Sequence, residues 1–340
     1  MATPVPHLEA EFDVDIRQVL VTKDKVFACA SRNTGLGIEN NSIRCFDIKS
    51  WKTKWVCDVR FDPVYLAISN GVVYAETYGI ATGKGFLYAI RESTGATLWT
   101  TPLKNPANRF SPIPADDVIF TVCHEALWAI RADTGKLKWK FKIETATPTV
   151  IHDETHHLAV FGTDHGDVIA ADIRTGEERW RTKVGDRIVL ALARDGDVLV
   201  VGSHREPLHF LKCSDGKPVS KPRHSVYSPM TVVEHAAFFA CNAKETTVAK
   251  IDVDTKKLCW KFRVEKRDDW VSRWSQWLIH NGTLYFLSSD GDLYSIDAGT
   301  GLLLWCLPNV GGQALGYAPF RIHAGRLLIF TGSAVQSISV

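Results

Sequence analysis

The chain has 340 residues, 45% of them hydrophobic, which is the composition of a globular protein with a sizeable core. Its 40 basic and 38 acidic residues leave a formal net charge of +2, so no global field favours a nucleic acid or an anionic membrane. No run of about 18 apolar residues is present, which excludes a predicted transmembrane helix.

In chain order, residues 7–14 alternate in polarity and carry Phe12. Residues 16–31 and 43–59 each predict two short strands, the second pair ending near Trp55. The next segment, 63–103, contains the clearest unit. Residues 87–91 form an alternating run, Thr94-Gly95 a turn, and a second run ends in Trp99. The pattern returns in 110–143 with Thr134-Gly135 and Trp139, and in 147–184 with Thr175-Gly176 and Trp180. It is degraded in 188–223, where Ser220 stands in the Trp place, and weak in 228–264, which ends near Trp260. It recovers in 274–307 with Thr300-Gly301 and Trp305. Residues 317–340 predict only three strands.

The tryptophans at 55, 99, 139, 180, 260 and 305 are separated by 44, 40, 41, 80 and 45 residues, the 80 being two periods. A period just over 40 with about four strands per unit is the signature of propeller blades. The Asp-x-x-Thr-Gly segment is a turn in which Gly takes positive φ and the Asp and Thr side chains bond nearby backbone. Each Trp is too large for one blade to bury and is expected between neighbouring blades. The fold expected is therefore all-β: one domain over 1–340, an eight-bladed β-propeller of four-stranded antiparallel blades. Residues 7–14 supply the fourth strand of the last blade and put Phe12 in the Trp place. Seven blades is the alternative, should the degenerate fifth copy not form.

These residues resemble the PQQ-type repeat, whose signature reads roughly Leu-Tyr-Ala-Leu-Asp-x-x-Thr-Gly-x-x-x-Trp. The resemblance covers nearly the whole chain, with four good copies and three weak ones. The family includes quinoprotein dehydrogenases and non-catalytic propellers of outer-membrane assembly, and the second kind is closer in size. Fold alone does not carry function across it. The dehydrogenases hold the quinone over calcium and beneath an adjacent Cys-Cys disulfide. Here no Cys-Cys pair occurs and no calcium-site segment can be assigned, so no cofactor is expected.

Eight cysteines are scattered singly without a CxxC, which argues for buried reduced thiols and against a zinc site. The first nine residues lack a basic and an apolar region of an export signal. Together these predict a cytoplasmic protein, with a nuclear address as the alternative. His152-Asp153-Glu154-Thr155-His156-His157 looks metal-like but falls where a solvated hairpin tip is expected. Thr82-Gly83-Lys84-Gly85 lacks P-loop spacing and reads as a flexible hairpin.

Aligning the segments before each blade's first strand gives two columns. Arg60, Arg109 and Arg273 form one, with Arg187 one place off. Phe61, Phe110, Tyr227, Trp274 and Tyr317 form the other, and Trp270 lies nearby. Guanidinium groups would suit carboxylates or phosphates, and flat rings would supply apolar contact. The competing reading has the rings plugging the channel or packing between blades and the arginines paired to nearby Asp. Long loops of blades one and two, 31–42 and 77–85, are expected on the same face. A non-catalytic platform with a protein partner is the functional reading. The alternative is a binder or enzyme for a small anionic metabolite in the central channel, with a PQQ-dependent dehydrogenase the least favoured. No nucleic-acid partner, membrane insertion or metal is expected.

Overall fold

Short alternating runs bounded by Gly and Asp turns become antiparallel strands throughout the computed structural model, and no helix occurs among the described residues. The structure describes residues 4–31, 41–79, 81–106, 111–123, 125–143, 146–186, 189–203, 206–220, 224, 230–241, 247–264, 277–288, 291–310 and 319–340. Two compact units are distinguished, residues 6–148 with 319–340 and residues 1–5 with 149–318.

In the first unit, blade two is built from Asp62–Ser69, Val72–Gly79, Lys84–Arg91 and Thr97–Lys104. Blade three is built from Ile113–Ala115, Val118–Cys123, Ala126–Arg131 and Leu137–Lys142. The remaining sheet has six strands. Blade one's Lys25–Ser31, Ser42–Asp47 and Thr53–Asp58 follow the long strand His7–Val21, and Phe320–His323 and Arg326–Ser339 lie on its other side. The second unit, from residue 149, holds blade four apart from the first three residues of its opening strand Ala146–Asp153, then blades five, six and seven, each a four-stranded sheet. The degenerate fifth copy forms all four strands: Val189–Asp195, Val198–Ser203, His209–Lys212 and Pro218–Ser220.

Seven sheets result among the described residues, the smaller of the two counts that the sequence allows, but for a different reason from the one expected. The strands assigned to an eighth blade do not stand apart as a sheet. His7 pairs with Ser337 and Glu11 with Ala334, and after a register shift Ile16 pairs with Ala30. One strand thus belongs to both neighbours and fuses them. Within 326–339 the chain also doubles back, because the Val340 amide donates to the Gly325 carbonyl at 3.0 Å. Fourteen straight residues would instead span about 46 Å. Phe12 takes the expected Trp place, its ring 4.6 Å from Phe46. The Glu9 carboxylate fastens this joint, accepting from Ser337 Oγ at 2.6 Å and from Arg326. Replacing Glu9 by Ala is expected to cost about 1–3 kcal/mol in denaturant unfolding, since a buried hydroxyl and a guanidinium lose their partner. Replacing Glu9 by Gln should recover part of that.

The turns work as the repeat predicts. In blade seven Asp297 Oδ1 accepts from the backbone of Gly299 at 3.0 Å and Thr300 at 2.7 Å, and from the Thr300 hydroxyl at 2.8 Å. The Thr300 backbone and hydroxyl bonds hold this carboxyl below the usual range. One feature was not foreseen. Every blade from one to seven has a register shift between its last two strands at the residue facing the Trp position. Ala89 faces Trp99 while Ile90 faces Thr97, leaving Leu98 extra. Blades one, three, four, five, six and seven repeat this bulge. A bulge bends its strand and re-aims the next side chain, here the Trp, toward the following blade.

The tryptophans dock accordingly. Trp55 Nε1 donates to the Glu92 carbonyl, Trp99 to Ala132 and Trp180 to Cys213, each at 2.9 Å, and Trp260 donates to Ala298 at 3.1 Å. Each ring also covers the Gly of the next blade's turn. A Cβ on Gly216 would stand 2.5 Å from the Trp180 ring, and Gly216 has φ +69°. That Gly therefore serves both the turn and the close approach.

Candidate docking site on blade two

Of the sequence-predicted site residues, Arg60 and Phe61 lie in the described structure. Arg109, Phe110, Arg187, Tyr227, Trp270, Arg273, Trp274 and Tyr317 lie outside the described residues, as does most of the long loop of blade one.

Arg60 and Phe61 end the crossing from blade one to blade two. Phe61 sits at φ 69°, a conformation that costs a bulky residue of order 1–3 kcal/mol. That conformation brings its ring against Gly79, where an added Cβ would be 2.7 Å from Cδ1 and 2.9 Å from Cε1. The ring stacks on Phe86, with centroids 5.9 Å apart and an interplanar angle of 17°. Phe86 in turn leans on Tyr88 at 6.0 Å. The Tyr88 hydroxyl accepts from the Arg60 amide at 3.0 Å, which anchors the crossing. The exposed Arg60 guanidinium then lies 5.3 Å from the Phe61 centroid and 5.9 Å from that of Phe86. Such contact favours the cation over the ring faces. The competing reading of an Arg–Asp pair applies instead to Arg17, a residue outside the alignment, which meets Asp62 at 3.2 Å. The second Asp62 oxygen is buried and has no hydrogen-bond partner among the described residues.

The face continues across the blade. Gly79 pairs with Lys84 and Lys84 with Lys104, so two further cations line the same end of the sheet. Beyond them Lys104, Asn105, Cys123, Glu125 and Trp128 line a small open pocket shared with blade three. The Thr82-Gly83-Lys84-Gly85 segment is a bonded turn here. The Thr82 and Gly83 amides both donate to the Gly79 carbonyl, and Asn105 N donates to the Gly83 carbonyl at 2.7 Å.

Beneath this end lies a group that the sequence reading passed over. Glu76 is fully buried between blades two and three, and its Oε2 accepts from Thr121 Oγ1 at 2.6 Å. Its Oε1 has no partner among the described residues. Burial pushes the Glu76 carboxyl up to about 8, the Thr121 bond pulling the other way, so it is neutral at pH 7. Its signal was in the sequence: two residues after Tyr74, it shares that core-facing side of the strand.

The His152–His157 segment is a hairpin tip as expected, but its acid is not solvated. Asp153 is fully buried. It accepts from His156 Nδ1 and from Arg194 Nη1 of blade five, each at 2.7 Å. Arg194 also bonds Thr155 Oγ1 at 2.7 Å. The segment is a polar latch between blades four and five.

Four-stranded antiparallel blades joined by Trp-on-turn contacts define the class: this is a β-propeller. Comparison with solved structures agrees. The outer membrane protein assembly factor BamB from Moraxella catarrhalis superposes with a TM-score of 0.75 at 14% identity, over 99% of this chain and 98% of that one. A europium-containing methanol dehydrogenase gives 0.74 at 12% identity, over 97% of this chain and 85% of that one. At such identities these likenesses concern the fold alone. The PQQ_2 family, described as outer membrane protein assembly factor BamB, matches residues 39–189 and 164–315, and the chain belongs to that family. Among curated relatives, BamB of Burkholderia pseudomallei is 26% identical over 196 residues, 54% of this chain and 51% of that protein. A quinoprotein ethanol dehydrogenase of Pseudomonas aeruginosa is 28% identical over 138 residues, 33% of this chain and 21% of that protein. The chain thus spans about half the length of the BamB relative and less of the dehydrogenase.

The cytoplasmic address expected from the sequence is overturned by these matches, whose named work is at the outer membrane. It rested on the absence of a signal in nine residues and on free cysteines. Neither constrains a compartment, since six of the eight thiols are simply buried in blade cores. Among the described residues no helix is long and apolar enough to cross a membrane.

Proposed function

We propose that the chain is a non-catalytic docking propeller in outer membrane protein assembly, holding a protein partner over the Arg60–Phe61–Phe86 face of blade two. Family membership supports the setting. The face is supported by one observation: the backbone is held at positive φ to lay Phe61 on Gly79 beneath an exposed guanidinium. A rigid aromatic plate beside a bidentate donor is the composition of interface anchor points. The cations Arg17, Arg60, Lys84 and Lys104 suit an acidic or extended segment of the partner.

Affinity capture from the host's envelope extract tests this. Wild type is expected to retain outer membrane assembly proteins. Arg60→Glu should reduce that retention about 30-fold, the ~2 kcal/mol of an interface anchor. Lys136→Glu, in a turn at the opposite end of blade three, should leave it unchanged. Equal retention by Arg60→Glu would remove the docking face, and no retention by wild type would remove the platform itself.

A further inference from the structure

Three metal-ligating side chains converge where blade five meets blade six. Asp195 ends the strand Val189–Asp195. His235 lies in the turn between Thr231–Val233 and Ala236–Cys241, and Asp254 in the turn between Thr247–Asp252 and Leu258–Arg263. His235 Nδ1 is 2.9 Å from Asp195 Oδ2 and 3.4 Å from Asp254 Oδ2. One donor atom from each residue lies within 4.8 Å of the other two. Neighbouring donors around a first-row divalent ion stand ~3.0–3.4 Å apart when each is ~2.1 Å from it. An ion equidistant from three atoms so spaced is at most ~2.4 Å from each in their plane, so small side-chain rotations close the shell.

The joint one blade earlier supplies the contrast. There the acid that ends the first strand, Asp153, is neutralised by Arg194 of the following blade at 2.7 Å. At the next joint Asp195 holds the place of Asp153, but the place of Arg194 is taken by Val232. Among the described residues no Lys or Arg forms an ion pair with the Asp195 or Asp254 carboxylate, and Lys256 Nζ bonds the Asp254 carbonyl instead, at 3.0 Å. One imidazole Nδ1 faces both carboxylates and can give a single proton to only one of them. A divalent cation would satisfy both carboxylates and the ring nitrogen together. The donor set, one nitrogen and two carboxylate oxygens, suits zinc and its neighbours better than magnesium or calcium.

We propose that Asp195, His235 and Asp254 form a first-row divalent metal site of the zinc class that ties blade five to blade six. Isothermal titration of chelator-stripped protein with zinc chloride is expected to show one saturable site in the micromolar range. Zinc should raise the melting temperature, and magnesium at the same concentration should not. His235→Asn, chosen because Asn tolerates the positive φ of 61° at this position, should weaken zinc binding at least tenfold. Asp254→Asn should do the same, and both variants should melt like wild type in chelator. A wild type that takes up no zinc at 100 µM overturns the site. So does unchanged binding in the two variants, which would assign the zinc to other surface histidines as an adventitious ion only.

Discussion

Replacing Glu76 by Gln is expected to stabilise the protein at pH 8 by up to about 4–5 kcal/mol and to leave it nearly unchanged at pH 4.5. The wild-type carboxyl titrates near 4.5 in the unfolded chain and at about 8 in the folded one. Between those values the folded state holds a proton that the unfolded state has lost, so stability falls as pH rises through the window and levels off above it. At 1.36 kcal/mol per unit, the interval corresponds to the figure given. Gln is neutral at every pH and close in shape, so it keeps a polar contact with Thr121 and removes the slope. Denaturant unfolding of both proteins at pH 4.5, 6.5 and 8 reads the difference directly, and other titrating groups cancel in it. Parallel profiles would mean that Glu76 is ionised in the folded protein, against the burial described.

The second large effect is expected at Trp180. Its ring is buried on Gly216 and its Nε1 donates to Cys213 O at 2.9 Å. Trp180→Ala opens a cavity between blades four and five and should cost about 3–5 kcal/mol. Trp180→Phe keeps most of the apolar contact and loses one hydrogen bond, for about 1–2 kcal/mol, the cost of an orphaned buried carbonyl. Gly216→Ala forces a Cβ into the ring at a positive φ and should be destabilising in wild type. In a Trp180→Ala background the ring's share of that penalty should vanish, leaving the backbone strain and the 2.7 Å approach of the Cβ to Thr182 Oγ1. A double-mutant cycle therefore isolates the ring clash from the remaining cost of a Cβ at this position. Strict additivity would show that ring and turn do not touch in solution.

The blades were legible because their physics is local. A run of alternating residues, an Asp-x-x-Thr-Gly turn and a Trp recur at one period, and the strand limits fall within a few residues of those expected. Even the fifth copy folds fully, because Phe210 and Leu211 keep the core pattern although Ser220 replaces the Trp. What the period does not encode was missed. The fusion of the C-terminal strands to blade one arises from a single strand long enough to serve two neighbours. The bulge before each Trp is a pairing property with no residue signature beyond the spacing from Gly to Trp. Glu76 and Asp153 read as ordinary polar positions until the neighbouring blade supplies Thr121 and Arg194. At the candidate site, Arg60 and Phe61 were found by alignment, but the reason for their arrangement, Gly79 beneath the ring, lies on another strand.

The repeated bulge has a consequence for the outer edge of each sheet. A kinked border strand offers no straight ladder of amides and carbonyls for another chain to extend. In blade three that strand reads Leu137-Lys138-Trp139-Lys140-Phe141-Lys142, so three ammonium groups also flank the unpaired backbone. The distortion that points tryptophans at the next blade thereby also works against rim-to-rim stacking into fibrils.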